Sequence, residues 1–445
     1  RLAHHTYIGV VGISADHTFT NVDTNGNASE FAVKMNRLPE NRMLDSLLSA
    51  GSLAKADLAA IAHKLAAFHK NADRAKSALY GSVEAIMDHV AANFRDTRRF
   101  IGDSISSSCF AAIEAYSFGF LKDHQHLVGQ RSSGGWVCEG HGDLRAEHIC
   151  LVGDTEIFDC IEFDEALRYS DVASEIGFLS MDLDFLGQPN LSSAFETAYG
   201  SSIGDAELAT LLPFYKCYRA YVRGKVESLK SSEEDVSESE RRRASLKAMQ
   251  YFCLSERYAK GPPAPKLLMV CGKIGSGKTT VARLLSARTG FAVLSSDVTR
   301  KGLLGLHPAQ RAISEFRTGA YSEEITEKTY ATLWADAEQA LAAGDGVIID
   351  ATFADRKHRH RFIELANQRQ VPALFVECRS DEENIRLRLE EREKDAHEIS
   401  DANWTIHQRL SAQFAPFDDL SDACHVPIIT DEKLANHLEK LEGRL

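Results

Sequence analysis

The clearest chemical signature in the sequence is the stretch GKIGSGKT, which runs from Gly272 to Thr279. It satisfies the pattern G-x-x-x-x-G-K-[S/T], with the apolar run KLLMVC before it and an amphipathic helical segment after it. Glycines allow such a loop to turn its backbone N–H groups toward phosphate oxygens, and the N-terminus of the following helix adds positive potential. We therefore predict a nucleotide phosphate site, formed by Gly272, Gly275, Ser276, Gly277, Lys278, Thr279 and Thr280.

Two side chains of this loop have individual roles in the prediction. Lys278 would reach the β- and γ-phosphates of ATP, and the Thr279 hydroxyl would hold Mg²⁺. The apolar run VIID ends in Asp350, which we expect to orient the same ion from the edge of the sheet. A helix N-cap is the structural alternative for Asp350.

Further candidates follow the second and third predicted strands of this half. Asp297 comes just after FAVLSS, at the edge where open α/β sheets bind ligands, and a carboxylate there can accept the proton of an attacking hydroxyl. Arg300 could clamp an anionic group of the same substrate, and Thr352 lies at the same edge. The basic cluster DRKHRHRF, at 355–362, could face an anionic substrate or solvent.

Arg388 and Arg392 lie four residues apart in a segment dense in both charges, so they share one face of a predicted helix. We expect this helix to lead into a lid whose arginines neutralise the transferring phosphoryl group. The alternative is an exposed helix with surface ion pairs.

The second constellation is EGHGDLRAEHICL, at 139–151, followed by Asp159 sixteen residues after Asp143. Asp143 is the candidate base that positions a hydroxyl, and Asp159 is the candidate Mg²⁺ ligand. His148 is a poorer ligand for Mg²⁺, which prefers oxygen, although an imidazole could bind a substrate phosphate or another metal. His141-Gly142-Asp143 together with Asp159 resembles the catalytic loop of aminoglycoside phosphotransferases and their homoserine- and choline-kinase-like relatives.

This resemblance implies a protein-kinase-like fold for the N-terminal half. His148 then occupies the place of an asparagine that binds metal in the family, and Asp171 matches an aspartate that braces the loop. In the family, the lysine that binds the nucleotide precedes the hinge between the two lobes. Lys34 in AVKM resembles this lysine, but its position fits the strand that enters the hinge. Either an upstream lobe is absent from this chain, or this half never had a complete nucleotide site.

The elements around these residues fall into two patterns. Before residue 260, YIGVVGIS and SEFAVKMNRL alternate like strands joined by the turn DTNGNA, EIFDCIEF indicates a short strand, and helical segments predominate. After KGPPAPK, the runs KLLMVC, FAVLSS, GVIIDA and ALFVEC alternate with helical segments, which is typical of a parallel α/β sheet. We therefore predict an α+β domain over 1–260, a proline linker over 261–265 and an α/β P-loop domain over 266–445.

Composition narrows the class of protein further. The formal net charge of −13 disfavours unspecific binding to nucleic acid. No apolar run is long enough for a transmembrane helix, so we expect no membrane partner. Nine cysteines without a C-x-x-C pair fit reduced thiols in a cytoplasmic protein. The oligomeric state does not follow from the sequence.

The C-terminal half resembles small P-loop kinases that act on hydroxyls: gluconate kinase, chloramphenicol phosphotransferase, zeta toxins and the kinase domain of phage polynucleotide kinase. Asp297 and Arg300 match the Asp-x-x-Arg arrangement of the last of these. The whole chain resembles bacterial fusions of an aminoglycoside-phosphotransferase-like domain with an AAA-type P-loop kinase domain. This implies an enzyme that uses ATP and Mg²⁺ to phosphorylate a hydroxyl-bearing small molecule. The alternatives are a nucleic-acid 5′-hydroxyl kinase and a nucleotide-switched regulatory protein with a degenerate kinase-like domain.

Overall fold

The computed structural model of the protein describes residues 1–14, 19–21, 30–75, 77, 80–306, 322–393, 403–431 and 433–445. The predicted turn DTNGNA and the segment 394–402, where the lid was expected, lie outside these residues. The chain forms two compact units. The first comprises Arg1–Phe94 and Ala115–Ala220, and the second comprises Arg95–Glu114 and Tyr221–Leu445.

The strands and helices up to residue 260 are, in chain order, β1 (Tyr7–Ile13), β2 (Phe19–Asn21), β3 (Glu30–Met35), α1 (Leu44–Ser49), α2 (Lys55–Asn71), α3 (Val83–Thr97), α4 (Ser107–Asp123), α5 (Gln125–Ser133), β4 (Val137–Glu139), β5 (Ile149–Val152), β6 (Asp154–Ile157), α6 (Glu165–Arg168), β7 (Tyr169–Asp171), α7 (Val172–Phe185), α8 (Pro189–Ile203), α9 (Leu208–Ser231) and α10 (Glu238–Lys260). From residue 267 they are β8 (Leu267–Cys271), α11 (Lys278–Thr289), β9 (Ala292–Ser295), α12 (Ser296–Leu303), α13 (Glu323–Ala342), β10 (Val347–Asp350), α14 (Arg356–Arg369), β11 (Ala373–Arg379), α15 (Glu382–Glu393), α16 (Trp404–Ser411), β12 (His425–Ile429) and α17 (Leu434–Glu439). Short 3₁₀ helices occupy Glu40–Arg42, Arg98–Phe100 and Ala146–His148.

A small antiparallel sheet begins the first unit, with strand order β2-β1-β3. β1 and β3 pair with Val10 opposite Val33, which agrees with the alternation of apolar residues in both segments. The predicted strand EIFDCIEF is shorter than expected, because β6 ends at Ile157. Asp159 has a φ of 63°, which is incompatible with a regular strand, so the chain turns there.

Helix α7 is the buried centre of the first unit. Every residue from Val172 to Leu183 is buried, including the carboxylates of Glu175 and Asp182. The helix packs against α8, which in turn packs against α2. A buried carboxylate is costly without hydrogen-bond donors. Both of these carboxylates find backbone donors in the loop that carries Asp143.

The second unit is built on a five-stranded parallel sheet of order β12-β11-β8-β10-β9. The four strands predicted in this half correspond to β8, β9, β10 and β11. The fifth strand, β12, was not predicted because Pro427 interrupts its apolar pattern. Proline is tolerated there because β12 lies at an edge of the sheet.

Helices cover both faces of this sheet, and the central strand is therefore apolar throughout: all five residues of β8 are buried. Leu268 and Val270 lie in a core with α10, α11 and α17, while Met269 lies in a second core with α13 and α14. The P-loop unit thus includes α10, which precedes the proline linker. No helix within the described ranges combines the length and apolar character that crossing a membrane requires.

Candidate functional site

The loop between β8 and α11 has the backbone that its glycines predicted. Gly272, Gly275 and Gly277 all have positive φ angles, of 129°, 79° and 89°. A Cβ at Gly272 would lie 2.4 Å from the backbone oxygen of Cys378, and one at Gly275 would lie 2.8 Å from Ile385 Cγ2. The conformation and the close neighbours both require glycine at these two positions.

Two side chains from outside the loop hold its carbonyl groups. The Thr430 hydroxyl donates to the Ser276 carbonyl at 2.8 Å, and His407 Nδ1 donates to the Ile274 carbonyl at 2.8 Å. Sequence reasoning missed both residues. Thr430 directly follows the unpredicted strand β12, and His407 lies in α16, beyond residues 394–402.

Lys278 and Thr279, where this loop leads into α11, lie close to Asp350 at the end of β10. The Thr279 hydroxyl donates to Asp350 Oδ2 at 2.7 Å, and Lys278 Nζ donates to the Lys273 carbonyl at 2.8 Å. Burial raises the pKa of Asp350 above its usual value, while the positive charge of Lys278 opposes that shift. Burial likewise lowers the pKa of Lys278, against the pull of Asp350 and Asp297. The Thr279 and Asp350 oxygens are metal ligands of the kind that Mg²⁺ prefers.

Asp297, in the first turn of α12, and Arg300, in its last turn, line the same cavity. Arg300 donates to Asp297 Oδ1 at 2.6 Å. On the neighbouring strand end, the Thr352 hydroxyl lies 3.4 Å from the hydroxyl of Tyr330. The Tyr330 oxygen also accepts from the Phe353 N–H at 2.9 Å, which holds the turn after β10 in place.

Most of the site residues predicted in the C-terminal half line a single cavity of about 600 Å³. They are Gly275, Gly277, Lys278, Thr279, Asp297, Arg300, Asp350, Thr352 and Arg392. Three other predicted residues do not line this space: Gly272 and Ser276 of the loop, and Thr280 of α11. Glu323, Glu327 and Gln413 also line it, and no sequence signal distinguished them from other polar residues.

The two predicted arginines of α15 point to different partners. Arg392 lines the cavity. Arg388 instead donates to the Thr430 hydroxyl at 3.0 Å and to the Thr430 carbonyl at 2.8 Å, and lies 3.1 Å from Asp431. The structure therefore does not bring Arg388 into the cavity. Arg388 attaches α15 to Thr430, the residue that holds the phosphate loop.

The basic cluster at 355–362 divides in the same way. His358 lines the cavity. Arg359 is fully buried and binds Asp419 through two hydrogen bonds of 2.7 and 3.0 Å, together with three backbone carbonyls. Arg356 and Lys357 make exposed ion pairs. Of these four basic side chains, only His358 is placed to meet a substrate; Asp355, at the start of the cluster, also lines the cavity.

In the first unit, the predicted residues Asp143, His148 and Asp159 lie close together. Arg145 donates to both carboxylate oxygens of Asp143, at 3.1 and 2.9 Å. His148 Nδ1 donates to the Asp143 carbonyl at 2.8 Å, and its Nε2 lies 3.4 Å from Asp159 Oδ2. No group of three or more His, Cys, Asp or Glu side chains suited to a metal occurs in the part of the chain that the structure describes.

The brace of this loop is Glu175, which corrects the expectation for Asp171. Glu175 accepts hydrogen bonds from the His141 N–H at 2.6 Å and the Gly142 N–H at 3.2 Å, and pairs with His69 at 3.1 Å. Burial alone would raise the pKa of Glu175, but the partners, chiefly His69, lower it to about 2. Asp171 instead binds Arg131 and caps α7, since its side chain accepts from the Ala173 N–H.

The loop also depends on Gly140, where a Cβ would lie 2.0 Å from Glu175 Oε2. A second carboxylate, Asp182, accepts from the Ala146 N–H at 2.9 Å. Both braces come from α7, one turn or more after Asp171. Their distance in sequence from the loop explains why spacing alone did not identify them.

Comparison with known proteins agrees with the architecture of the second unit. Residues 267–417 match the model of a family described as an AAA domain. With its parallel sheet and phosphate loop, this part of the chain is an α/β P-loop NTPase domain. Solved structures with partial similarity include a sugar kinase from Janibacter (19% identity, TM-score 0.30) and a gluconokinase from Sinorhizobium meliloti (14% identity, TM-score 0.29). They cover 40% and 41% of this chain, and it covers 92% and 96% of theirs.

Similarity over nearly the full length is found with mycobacterial proteins. The uncharacterised protein Rv2004c of Mycobacterium tuberculosis is 30% identical over 420 residues, which span 94% of this chain and 81% of that protein. The uncharacterised protein Mb2027c of Mycobacterium bovis matches with the same identity and coverage. The aligned region includes both units, so the similarity is not limited to the P-loop. The chain belongs to the same family as these mycobacterial proteins.

Proposed function

We propose that the protein is a kinase that transfers the γ-phosphoryl group of Mg·ATP to a hydroxyl of a small molecule in the C-terminal cavity. One observation carries this proposal: the same space is lined by the phosphate-loop lysine, the Thr279–Asp350 pair and Asp297. Nucleotide binding alone does not require the Asp297 carboxylate, whereas phosphotransfer to a hydroxyl uses such a group as a base. The AAA-domain match supports nucleotide binding in general.

In this proposal each residue has a separate task. The loop amides and Lys278 bind the phosphates, and Thr279 and Asp350 hold Mg²⁺, which when bound neutralises charge on the phosphate oxygens. The acceptor oxygen forms a bond to the γ-phosphorus while the bond from that phosphorus to the bridging oxygen breaks. ADP leaves with that electron pair, and the acceptor proton passes to Asp297. Arg300 orients the Asp297 carboxylate, and Arg392 stabilises charge on the transferred group.

We propose that the first unit contains a second, kinase-like site around Asp143 and Asp159. Its loop has the required residues near one another, but Arg145 occupies both oxygens of the candidate base. His148 places a nitrogen beside Asp159 where an oxygen ligand would suit Mg²⁺ better. For these reasons we assign the main activity to the second unit.

The proposal is tested by incubating the protein with labelled Mg·ATP and a panel of sugars, aminoglycosides, nucleosides and 5′-hydroxyl oligonucleotides. Lys278→Ala and Asp143→Ala are compared, with Lys328→Ala as a control at an exposed lysine. Loss of product in Lys278→Ala alone assigns the activity to the second unit. Loss in Asp143→Ala alone would transfer it to the first unit. Nucleotide turnover that is unaffected by Asp297→Asn would favour a nucleotide switch instead.

A further inference from the structure

The order of the strands divides the C-terminal cavity into two sides. β8 leads into the phosphate loop, β10 and β9 lie on one side of it, and β11 and β12 lie on the other. Asp297 and Thr352 follow β9 and β10, so the proposed base lies on the β9–β10 side. Arg388 and Thr430 follow β11 and β12 on the opposite side. The acceptor must therefore bind on the β9–β10 side, which we call the acceptor side.

The acceptor side is acidic. Besides Asp297, its described lining includes Glu323 and Glu327 of α13 and Asp355 at the start of α14. The guanidinium of Arg300 also lines it but is bound to Asp297 at 2.6 Å. Among the described residues that line the acceptor side, carboxylates thus outnumber positively charged groups. Such a surface repels an acceptor that carries phosphate or carboxylate groups and attracts one that carries a positive charge.

Lys357 offsets this charge only weakly. It lies 3.0 Å from Glu327, but its side chain is 65% exposed and it does not line the cavity. Ion pairs exposed to this degree contribute little and are screened by solvent. Of the two glutamates of α13 that line the cavity, Glu323 is exposed and Glu327 is half-buried.

A second feature of the acceptor side is a buried imidazole next to Glu327, whose Oε1 lies 3.5 Å from His358 Nε2. His358 is only 4% exposed and stacks on Tyr330, with ring centroids 3.8 Å apart and planes 6° apart. Its Nδ1 has no hydrogen-bond partner, although buried polar atoms normally have one. Burial lowers the pKa of His358, so the ring is neutral near pH 7 and adds no cation to the wall. His358 lines the cavity, so a polar group of a bound molecule that reaches this nitrogen would satisfy it.

We propose that the acceptor is a hydroxyl compound with a protonated amine, such as an amino sugar or an amino alcohol. Its ammonium group binds the carboxylates of Glu323, Glu327 and Asp355, while a hydroxyl reaches Asp297. His358 accepts or donates one further hydrogen bond to the same molecule. This inference rests on the proposed kinase function and specifies the chemical class of its substrate.

The test uses sets of cationic, neutral and anionic hydroxyl compounds in the labelled Mg·ATP assay. Each set includes one member of a glucose-derived series that differs in charge, namely glucosamine, glucose and gluconate. We expect product from cationic compounds, with kcat/KM falling from the cationic to the anionic set. In the double variant Glu323→Gln and Glu327→Gln, we expect KM for the accepted amine to rise about tenfold, from roughly threefold for each partly exposed ion pair. KM for ATP should not change.

The matched control is Glu324→Gln. This glutamate is adjacent in α13 but is 76% exposed, pairs with Lys328 and does not line the cavity. Transfer to neutral or anionic compounds only, or none to any amine while Lys278-dependent binding of Mg·ATP persists, would overturn the inference but not the nucleotide site. Binding of Mg·ATP that is the same in Lys278→Ala and the native protein would refute the proposed function itself.

Discussion

Replacing Glu175 with glutamine tests how the loop that carries Asp143 is held. The native carboxylate is fully buried, and its pKa is about 2 against an ordinary value of 4.5. That difference corresponds to about 3 kcal/mol of stabilisation at pH 7, because each pKa unit is worth about 1.4 kcal/mol. Glutamine keeps the shape of the side chain but removes the charge that His69 and the two loop N–H groups bind.

The dependence on pH has a definite sign. Since the pKa is depressed in the folded protein, the stabilisation is complete above pH 4.5 and is lost as the pH falls toward 2. Proton linkage gives about 2 kcal/mol at pH 3.5. Glutamine does not titrate, so the difference between the native protein and Glu175→Gln should shrink over this range.

Amide hydrogen exchange read by mass spectrometry measures this effect locally. Peptides that cover 137–150 and 172–185 should lose about three hundredfold in protection at pH 7, and about thirtyfold at pH 3.5. Strand β8 in the second unit is the internal reference, and Glu165→Gln, at an exposed glutamate, is the control variant. Unchanged protection, or a loss of the same size at both pH values, would contradict the assignment of Glu175 as a charged brace.

Three further predictions concern the second unit. Asp297→Asn should lower kcat for phosphotransfer by about 10²–10⁴-fold, as expected for a lost general base, while calorimetry shows unchanged affinity for Mg·ATP. Arg359→Met should lower the free energy of unfolding by about 3–5 kcal/mol in thermal denaturation, because the buried carboxylate of Asp419 keeps only the exposed His360 as an ion-pair partner, whereas Arg356→Met at an exposed pair should cost under about 1 kcal/mol. Gly272→Ala should weaken ATP binding more than tenfold, because its Cβ would collide with a backbone oxygen of β11, whereas Gly305→Ala, with a φ of 70° and open space around it, should not affect binding.

The phosphate loop and the strands around it were predictable because local pattern and local structure agree there. An apolar run, a glycine-rich turn and a helical stripe follow one another within about two dozen residues, and the parallel sheet buries each strand on both faces. The same reasoning failed for β12. This strand lies at an edge of the sheet, where Pro427 is tolerated, and the proline interrupts the apolar pattern that would have indicated a strand.

The parts that could not be predicted depend on contacts between residues far apart in sequence. Arg388 and Arg392 look equivalent in α15, yet only the position of Thr430 at the end of β12 draws Arg388 away from the cavity. In the first unit, the family resemblance indicated Asp171 as the brace, but Glu175 lies one helical turn further along α7 and reaches the loop. Helical periodicity places both residues on one face, and only packing decides which of them makes the contact.

The position of α10 affects how the protein can be divided experimentally. Met249 and Cys253 of this helix are packed in one core with Leu268 and Val281, although the proline-rich segment separates them in sequence. A fragment that starts at Lys266 would lack this cover, and the apolar side of α11 would meet water. Such fragments tend to aggregate through the uncovered surface. A recombinant P-loop fragment should therefore begin no later than Ser237, the N-cap of α10.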